Sequence, residues 1–251
     1  MATTTECRLI VDPPGPGAWN MAVDEMLLEW SAQQAGCCWR FYQWREPTLS
    51  LGYFQEYQDR WLHAASRDCA VVRRLTGGGA IMHDAELTYS LVVHGGHPLA
   101  ARREALYEAA HGSLIEALAE FGIAATLCRP AGDAPQQEPL LCFQRRAPGD
   151  VLVGQTKIAG SAQRRRRGAV LQHGSLLLRR STAAPELTAL DDAAGKMPDV
   201  NELAGKWLAK VAKRLKMAMR PGPRSPQEEL RAAALVEQRY ATADWTERRG
   251  R

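Results

Sequence analysis

No stretch of the 251 residues stays apolar long enough to cross a bilayer, which excludes a membrane-spanning helix and leaves no membrane partner to expect. No basic segment followed by an apolar one opens the chain. MATTTECRLIVD is not a secretory signal, so a cytoplasmic protein is expected. No period recurs along the sequence, which excludes a solenoid. Of the six cysteines (Cys7, Cys37, Cys38, Cys69, Cys128 and Cys142) none forms a C-x-x-C pair, and no cysteine–histidine cluster has zinc spacing. No metal is expected, and the default for each is a reduced, buried thiol. There is little excess of charge of either sign. A net +4 makes no demand for nucleic acid, although it suits an acidic protein partner. What is present is ordinary for a soluble chain with a core: 45% apolar and 24% charged residues.

Cys7 to Val11 reads as a strand, broken by PPGPG at Pro13 to Gly17. Met21, Ala22, Met26, Leu27 and Trp30 recur at helical spacing between Ala18 and Gln34, with Asp24, Glu25 and Glu29 on other faces. Strands are expected at Cys37–Trp44, Thr48–Leu51, Ala70–Leu75 and Leu87–Val93, and a short helix at Asp59–Ala65. Arg102 to Gly122 is the clearest helix, its Leu106, Ala110, Leu114, Leu118 and Phe121 stepping by three and four, with Gly122 at the C-terminal cap. Further strands are expected at Ala124–Cys128, Leu140–Gln144, Asp150–Gly154, Thr156–Gly160 and Ala169–Leu178, with a polar loop at Pro130–Pro139. Leu187–Leu190 reads as a short helix. Glu202–Met219 and Gln227–Gln238 read as helices split by PGPRSP. The mixture is α+β. A single domain is expected, with a core of about 7–240 and a tail at 241–251.

The chain is organised around RRLTGGGAIMHD, Arg73 to Asp84. Gly77, Gly78 and Gly79 expose backbone N–H groups with no side chains over them. Such a loop cradles a carbonyl, a phosphate or an acyl head, or is simply a hairpin turn. Arg73 and Arg74 precede it, and His83 and Asp84 follow.

RRLTGGGAIMHD resembles the signature of the lipoate–protein ligase and octanoyltransferase superfamily. A second signature, KIAGSAQRRRRGAVLQHGSLLL, runs from Lys157 to Leu178, and WNMAVDEMLLEW and WRFYQWREPTLSLGYFQ also fit. The resemblance spans roughly Trp19 to Tyr240. It implies the α+β catalytic domain of biotin and lipoate ligases, with mixed, mostly antiparallel sheets flanked by helices. In the family a segment like LSLGYFQ borders the acyl site, although a plain hairpin reads the same way.

Lys157 lies among small residues, Gly160, Ser161 and Ala162, that leave room for a ligand. Alone it reads as a surface lysine; the resemblance makes it the residue that polarises an acyl carbonyl or stabilises a thiolate. Cys142, in LCFQ, precedes it by fifteen residues, the placement found in a single-domain, cysteine-dependent class of octanoyltransferases that resembles lipoate–protein ligase A. A thiolate is the right group to accept an acyl chain from a thioester, and the alternative is a buried structural cysteine. By resemblance Arg74 and Gly77 to Gly79 frame the acyl head. His83 orients the loop or binds substrate, and His173 satisfies a backbone group. Arg164 to Arg167 is a solvated run or a docking surface for an acidic carrier; without interleaved aromatics it does not suit nucleic acid.

The resemblance therefore implies an octanoyltransferase of lipoate biosynthesis. Octanoyl would pass from octanoyl-acyl carrier protein through Cys142 to a lysine of a lipoyl domain, with no cofactor. Two alternatives stand: an ATP- and magnesium-dependent lipoate–protein ligase, against which stands the short sequence beyond the Glu228–Tyr240 helix, and a non-catalytic acyl- or carrier-binding protein of the same fold.

Overall fold

The computed structural model describes residues 4–129 and 139–247. Seventeen helices and strands follow in chain order: β1 (Thr5–Val11), α1 (Gly17–Gln34), β2 (Cys37–Tyr42), β3 (Thr48–Leu51), β4 (Ala70–Arg73), β5 (Ile81–His83), β6 (Glu86–Val93), α2 (Arg103–Glu120), β7 (Ala125–Leu127), β8 (Val151–Val153), β9 (Thr156–Arg166), β10 (Ala169–Leu177), α3 (Leu190–Ala194), α4 (Val200–Leu215), β11 (Met217–Pro221), α5 (Pro226–Leu235) and α6 (Ala243–Glu247). Short 3-10 segments intervene, including Tyr57–Leu62 and Ala64–Ser66 where one short helix was expected. Most of the expected loop at Pro130–Pro139, and Arg248–Arg251, lie outside the described residues.

Eight strands form one mixed sheet in the order β11-β1-β2-β6-β10-β9-β8-β7, and β4-β3-β5 form a smaller one. The pairs of β1 with β2 and with β11 are parallel; the rest of the large sheet is antiparallel. Alternation on the central strands explains the layers. Trp39 and Phe41 of β2, with Tyr89 and Leu91 of β6, face α2 and α4, where Trp207 meets Trp39 and donates from Nε1 to the Ala110 carbonyl at 2.8 Å. Cys38 and Tyr42 of β2, with Val92 of β6, face α1 instead.

α1 is buried almost all round, between the large sheet and α5. Asp24 and Glu25, expected on other faces than the apolar stripe, are buried with it. Asp24 accepts hydrogen bonds from Arg40 at 2.9 Å and Ser90 at 2.5 Å, and Glu25 accepts one from the Tyr240 hydroxyl at 2.8 Å. Buried carboxylates persist only when so partnered.

Four expectations change. Leu140–Gln144 is not a strand. Ala80 donates to the Leu140 carbonyl at 2.9 Å and Cys142 donates to that of Ala80 at 2.7 Å, after which Cys142–Gln144 closes into a 3-10 turn. Leu141 and Phe143 still both enter the apolar cluster under the small sheet, as alternation would require. The helix expected at Leu187–Leu190 begins only at Leu190. The end of Glu202–Met219 is strand β11, because Lys216 takes a left-handed conformation (φ 54°) and Met217–Pro221 finds β1 as a parallel partner. Residues 243–247 of the expected tail form α6, whose Trp245 donates from Nε1 to the Arg73 carbonyl at 2.8 Å. By contrast Gly122 (φ 66°) stands just past α2, the conformation that a glycine cap supplies.

Candidate active site

The small sheet, the glycine loop and the β8–β10 meander enclose a cavity of about 980 Å³, the size of a small-molecule site. Arg74, Gly77, Gly78, His83, Cys142, Lys157, Gly160, Ser161 and Ala162 all line it. Gly79 does not; it lies behind the wall. A β-carbon there would come 3.0 Å from the Leu140 carbonyl and 3.3 Å from the Cys142 nitrogen, so the bare backbone is what lets the loop lie against the cysteine segment.

Lys157, on β9, is buried, and its Nζ makes three contacts. It lies 2.8 Å from Asp150 Oδ2, 3.2 Å from the Cys142 carbonyl oxygen and 3.6 Å from Cys142 Sγ. Asp150 is held in turn by the Ala147 N–H at 2.7 Å. The side chain folds back over Gly160, where a β-carbon would meet Lys157 Cε at 2.8 Å and Asp150 Oδ1 at 2.9 Å. The ammonium thus has a carboxylate on one side and a partly exposed thiol on the other. Cys7, Cys37 and Cys38 are buried in the large sheet, and burial pushes the Cys37 thiol up and that of Cys38 up to about 12. Cys128 shares the cavity with Cys142.

Arg74 lines the cavity from within the glycine loop. All five of its N–H groups are engaged inside the protein: Nε by the Thr76 hydroxyl, and the rest by Ser50 and the carbonyls of Gly77 and Gly79 at 2.7 to 3.2 Å. It shapes the loop rather than reaching past it. Burial pushes its pKa down to about 10, against the opposing charge of Cys142.

His83 and His173 are likewise occupied. His83 Nε2 lies 2.8 Å from Ser50 Oγ and Nδ1 lies 2.7 Å from Glu86 Oε1, with the ring stacked on Trp44 at 3.7 Å. Burial pushes its pKa down despite Glu86. His173 Nδ1 lies 2.8 Å from Asp24 Oδ2 and Nε2 lies 2.7 Å from Thr76 Oγ1, tying the glycine loop to α1. Burial pushes Asp24 up, but the His173 hydrogen bond and the charges of Arg40 and His173 outweigh it and leave the carboxyl below its ordinary value.

The Arg164–Arg167 run is not one docking face. β9 continues through it and sends alternate side chains to opposite sides. Arg164 sits 4.9 Å over the Tyr53 ring, Arg165 donates to the Ala100 carbonyl, and Arg166 pairs with Glu25 at 2.7 Å. The arginines at the cavity itself are Arg74, Arg129, Arg145 and Arg146, of which Arg129 and Arg146 are exposed.

Residues 16–215 match the pattern of the lipoyl protein ligase A/B catalytic domain. The chain belongs to that family. Among its relatives is an octanoyltransferase LipM of Symbiobacterium thermophilum, 33% identical over 98% of this chain and 99% of the relative. The LipM of Geobacillus kaustophilus is 38% identical over 65% of this chain and 62% of the relative, so the chain spans less than two thirds of that protein's length in the match. In fold the chain is similar to a bi-partite lipoate protein ligase from Thermoplasma acidophilum (TM-score 0.75, 21% identity, 98% of each chain). It is equally similar to a lipoate-protein ligase A bound with ATP (TM-score 0.75, 21% identity, 98% of this chain and 99% of the other).

Two residues of this lipoyl protein ligase A/B domain were not singled out in the sequence. Asp150 is one. The other is His111 on α2, buried, its Nδ1 2.5 Å from the Gly149 carbonyl and its Nε2 2.9 Å from Ser161 Oγ. Neither lies in either signature. Among the described residues no group of three His, Cys, Asp or Glu side chains is placed to hold a metal ion, and no helix is long and apolar enough to cross a membrane.

Proposed function

We propose that this chain is an octanoyltransferase of lipoate biosynthesis, as its LipM relatives are named, and that it carries the octanoyl group on Cys142. The observation that carries the reading is the contact of Lys157 Nζ with Cys142 Sγ at 3.6 Å inside a glycine-lined cavity. A cation facing a sulfur stabilises the thiolate as it forms, and the thiolate is the nucleophile. Its attack on the carbonyl carbon of an octanoyl thioester makes the new C–S bond. The donor C–S bond breaks, and the donor thiolate takes up a proton. A lysine amine of a lipoyl domain then attacks the same carbon, the C–N bond forms, and Cys142 thiolate departs toward Lys157. The donor is octanoyl-acyl carrier protein, whose acidic surface suits the exposed Arg129 and Arg146 at the cavity. A thioester is already activated, so the reaction needs neither ATP nor magnesium.

The test is transfer from octanoyl-acyl carrier protein to a lipoyl domain, with and without ATP. Transfer independent of ATP supports the reading. Formation of an acyl-adenylate from free octanoate, with the carrier-bound donor ignored, would replace it with the ligase.

A further inference from the structure

The hydrogen atoms around His111 are fixed by its neighbours. Nδ1 faces the Gly149 carbonyl at 2.5 Å, and a carbonyl only accepts, so Nδ1 carries the proton. Burial pushes the imidazole below its usual 6.5, with Lys157 acting the same way and the Gly149 hydrogen bond and Asp150 opposing. The ring is therefore neutral near pH 7, and Nε2 is an acceptor. The Ser161 hydroxyl, 2.9 Å away, donates to it. Tyr89 approaches Ser161 from the other side. Its oxygen accepts from Gln172 Nε2 at 2.7 Å, and it shares a hydrogen bond with Ser161. Tyr107 meets the imidazole at 6.1 Å, edge to face. The titratable groups facing His111 are thus Asp150, Lys157, Tyr107 and, through Ser161, Tyr89.

Ser161 lines the same cavity as Cys142 and Lys157. With its proton committed to His111, what its oxygen offers the cavity is a lone pair. A lone pair receives an N–H group and repels a carbonyl oxygen.

We propose that Ser161 and His111 form the proton exit for the acceptor amine. The proposal rests on the Cys142 thioester reading above. The free amine nitrogen bonds to the thioester carbon and becomes cationic, and therefore far more acidic than a free ammonium. Its N–H proton moves to Ser161 Oγ while the Ser161 proton moves to His111 Nε2, leaving an imidazolium beside the Asp150 carboxylate. The C–S bond breaks with its electron pair on Cys142 sulfur, facing Lys157. The second N–H stays on the amide, and His111 returns its proton to water. A base somewhat weaker than free histidine suits a donor that is acidic only after attack.

The experiment times the two half-reactions separately in the wild type, in His111→Gln, in Ser161→Ala and in the double variant. Loading is read as hydroxylamine-sensitive octanoyl on the enzyme, formed from octanoyl-acyl carrier protein without acceptor. Discharge is read on adding a lipoyl domain, across the pH range on both sides of 6.5. Discharge is expected to slow roughly 10- to 100-fold more than loading in each single variant, and no further in the double variant, because the two act as one relay. The acceptor lysine must itself lose a proton before it attacks, which imposes one acid slope on every variant. Wild-type discharge is expected to steepen beyond that slope as pH drops through the imidazole range, and the variants are expected to lack the extra steepening. Equal losses in both half-reactions, or the extra steepening kept by the variants, would overturn the relay alone. A wild-type enzyme that never loads would overturn the thioester reading, and the relay with it.

Discussion

Lys157 Nζ touches Cys142 twice, at the sulfur (3.6 Å) and at the backbone carbonyl oxygen of the same residue (3.2 Å). One ammonium therefore both faces the thiol and fixes the turn that presents it. The two contacts arise because β8 and β9 form a hairpin that returns the chain to the cysteine segment.

Cys142→Ser is expected to abolish transfer, since a serine there has no readily formed oxyanion. Incubating the wild type with octanoyl-acyl carrier protein and no acceptor should place one octanoyl group on the Cys142 peptide. Cys128 lines the same cavity and serves as the internal control. Octanoyl found on Cys128 and not on Cys142 would refute the assignment.

Lys157→Ala should lower kcat on the order of 100- to 1000-fold while changing the donor KM little, because the cation acts on charge that develops during attack. Steady-state kinetics with a small octanoyl thioester decide it. A raised KM at normal kcat would make Lys157 a binding group only.

Asp150→Asn should destabilise the protein. It removes one partner of a buried ion pair and leaves the Lys157 ammonium without its carboxylate, a change that costs about 3–5 kcal/mol. Denaturant midpoints at constant m-value measure it. The double variant Asp150→Asn/Lys157→Met should recover part of the loss.

Asp24 sets a pH dependence of stability. Its folded pKa lies below the ordinary carboxylate value of 3.8, so its contribution is complete above that value and is lost as pH falls through the folded one. Melting temperatures between about pH 5 and pH 2 should therefore drop more steeply for the wild type than for Asp24→Asn. Parallel acid limbs would remove Asp24 from the account.

Arg129→Ser/Arg146→Ser should weaken use of the carrier-bound donor more than use of a small thioester, and the gap should close as salt rises, since the screening length is about 8 Å at physiological strength. Arg165→Ser/Arg167→Ser, on the hairpin, should show no such selectivity.

Local contacts were legible in the sequence and distant ones were not. Cys142 and Lys157 stand fifteen residues apart across one hairpin, and the two glycine-containing signatures announced the cavity. Asp150 sits in that same hairpin but is one of 28 acidic residues with nothing to mark it. His111 reaches Ser161 across 50 positions, and Asp24 reaches His173 across 149. No window of sequence contains such pairs. β5 and β11, three and five residues long, exist because neighbouring strands accept them rather than through their own composition. The arginine run misled because a strand continuing through Arg166 divides its side chains between two faces.

The cysteine turn is sewn to the rest of the fold by few stitches. Its backbone accepts one hydrogen bond from Ala80 and gives one back, and Lys157 gives it one more. Leu141 and Phe143 anchor it in the apolar cluster, but a turn with no strand ladder of its own opens at a lower free energy than the large sheet behind it. Heating should therefore cost this protein its cysteine turn before it costs the protein its shape. Activity should fade at temperatures where the large sheet is still intact, and cooling should restore it.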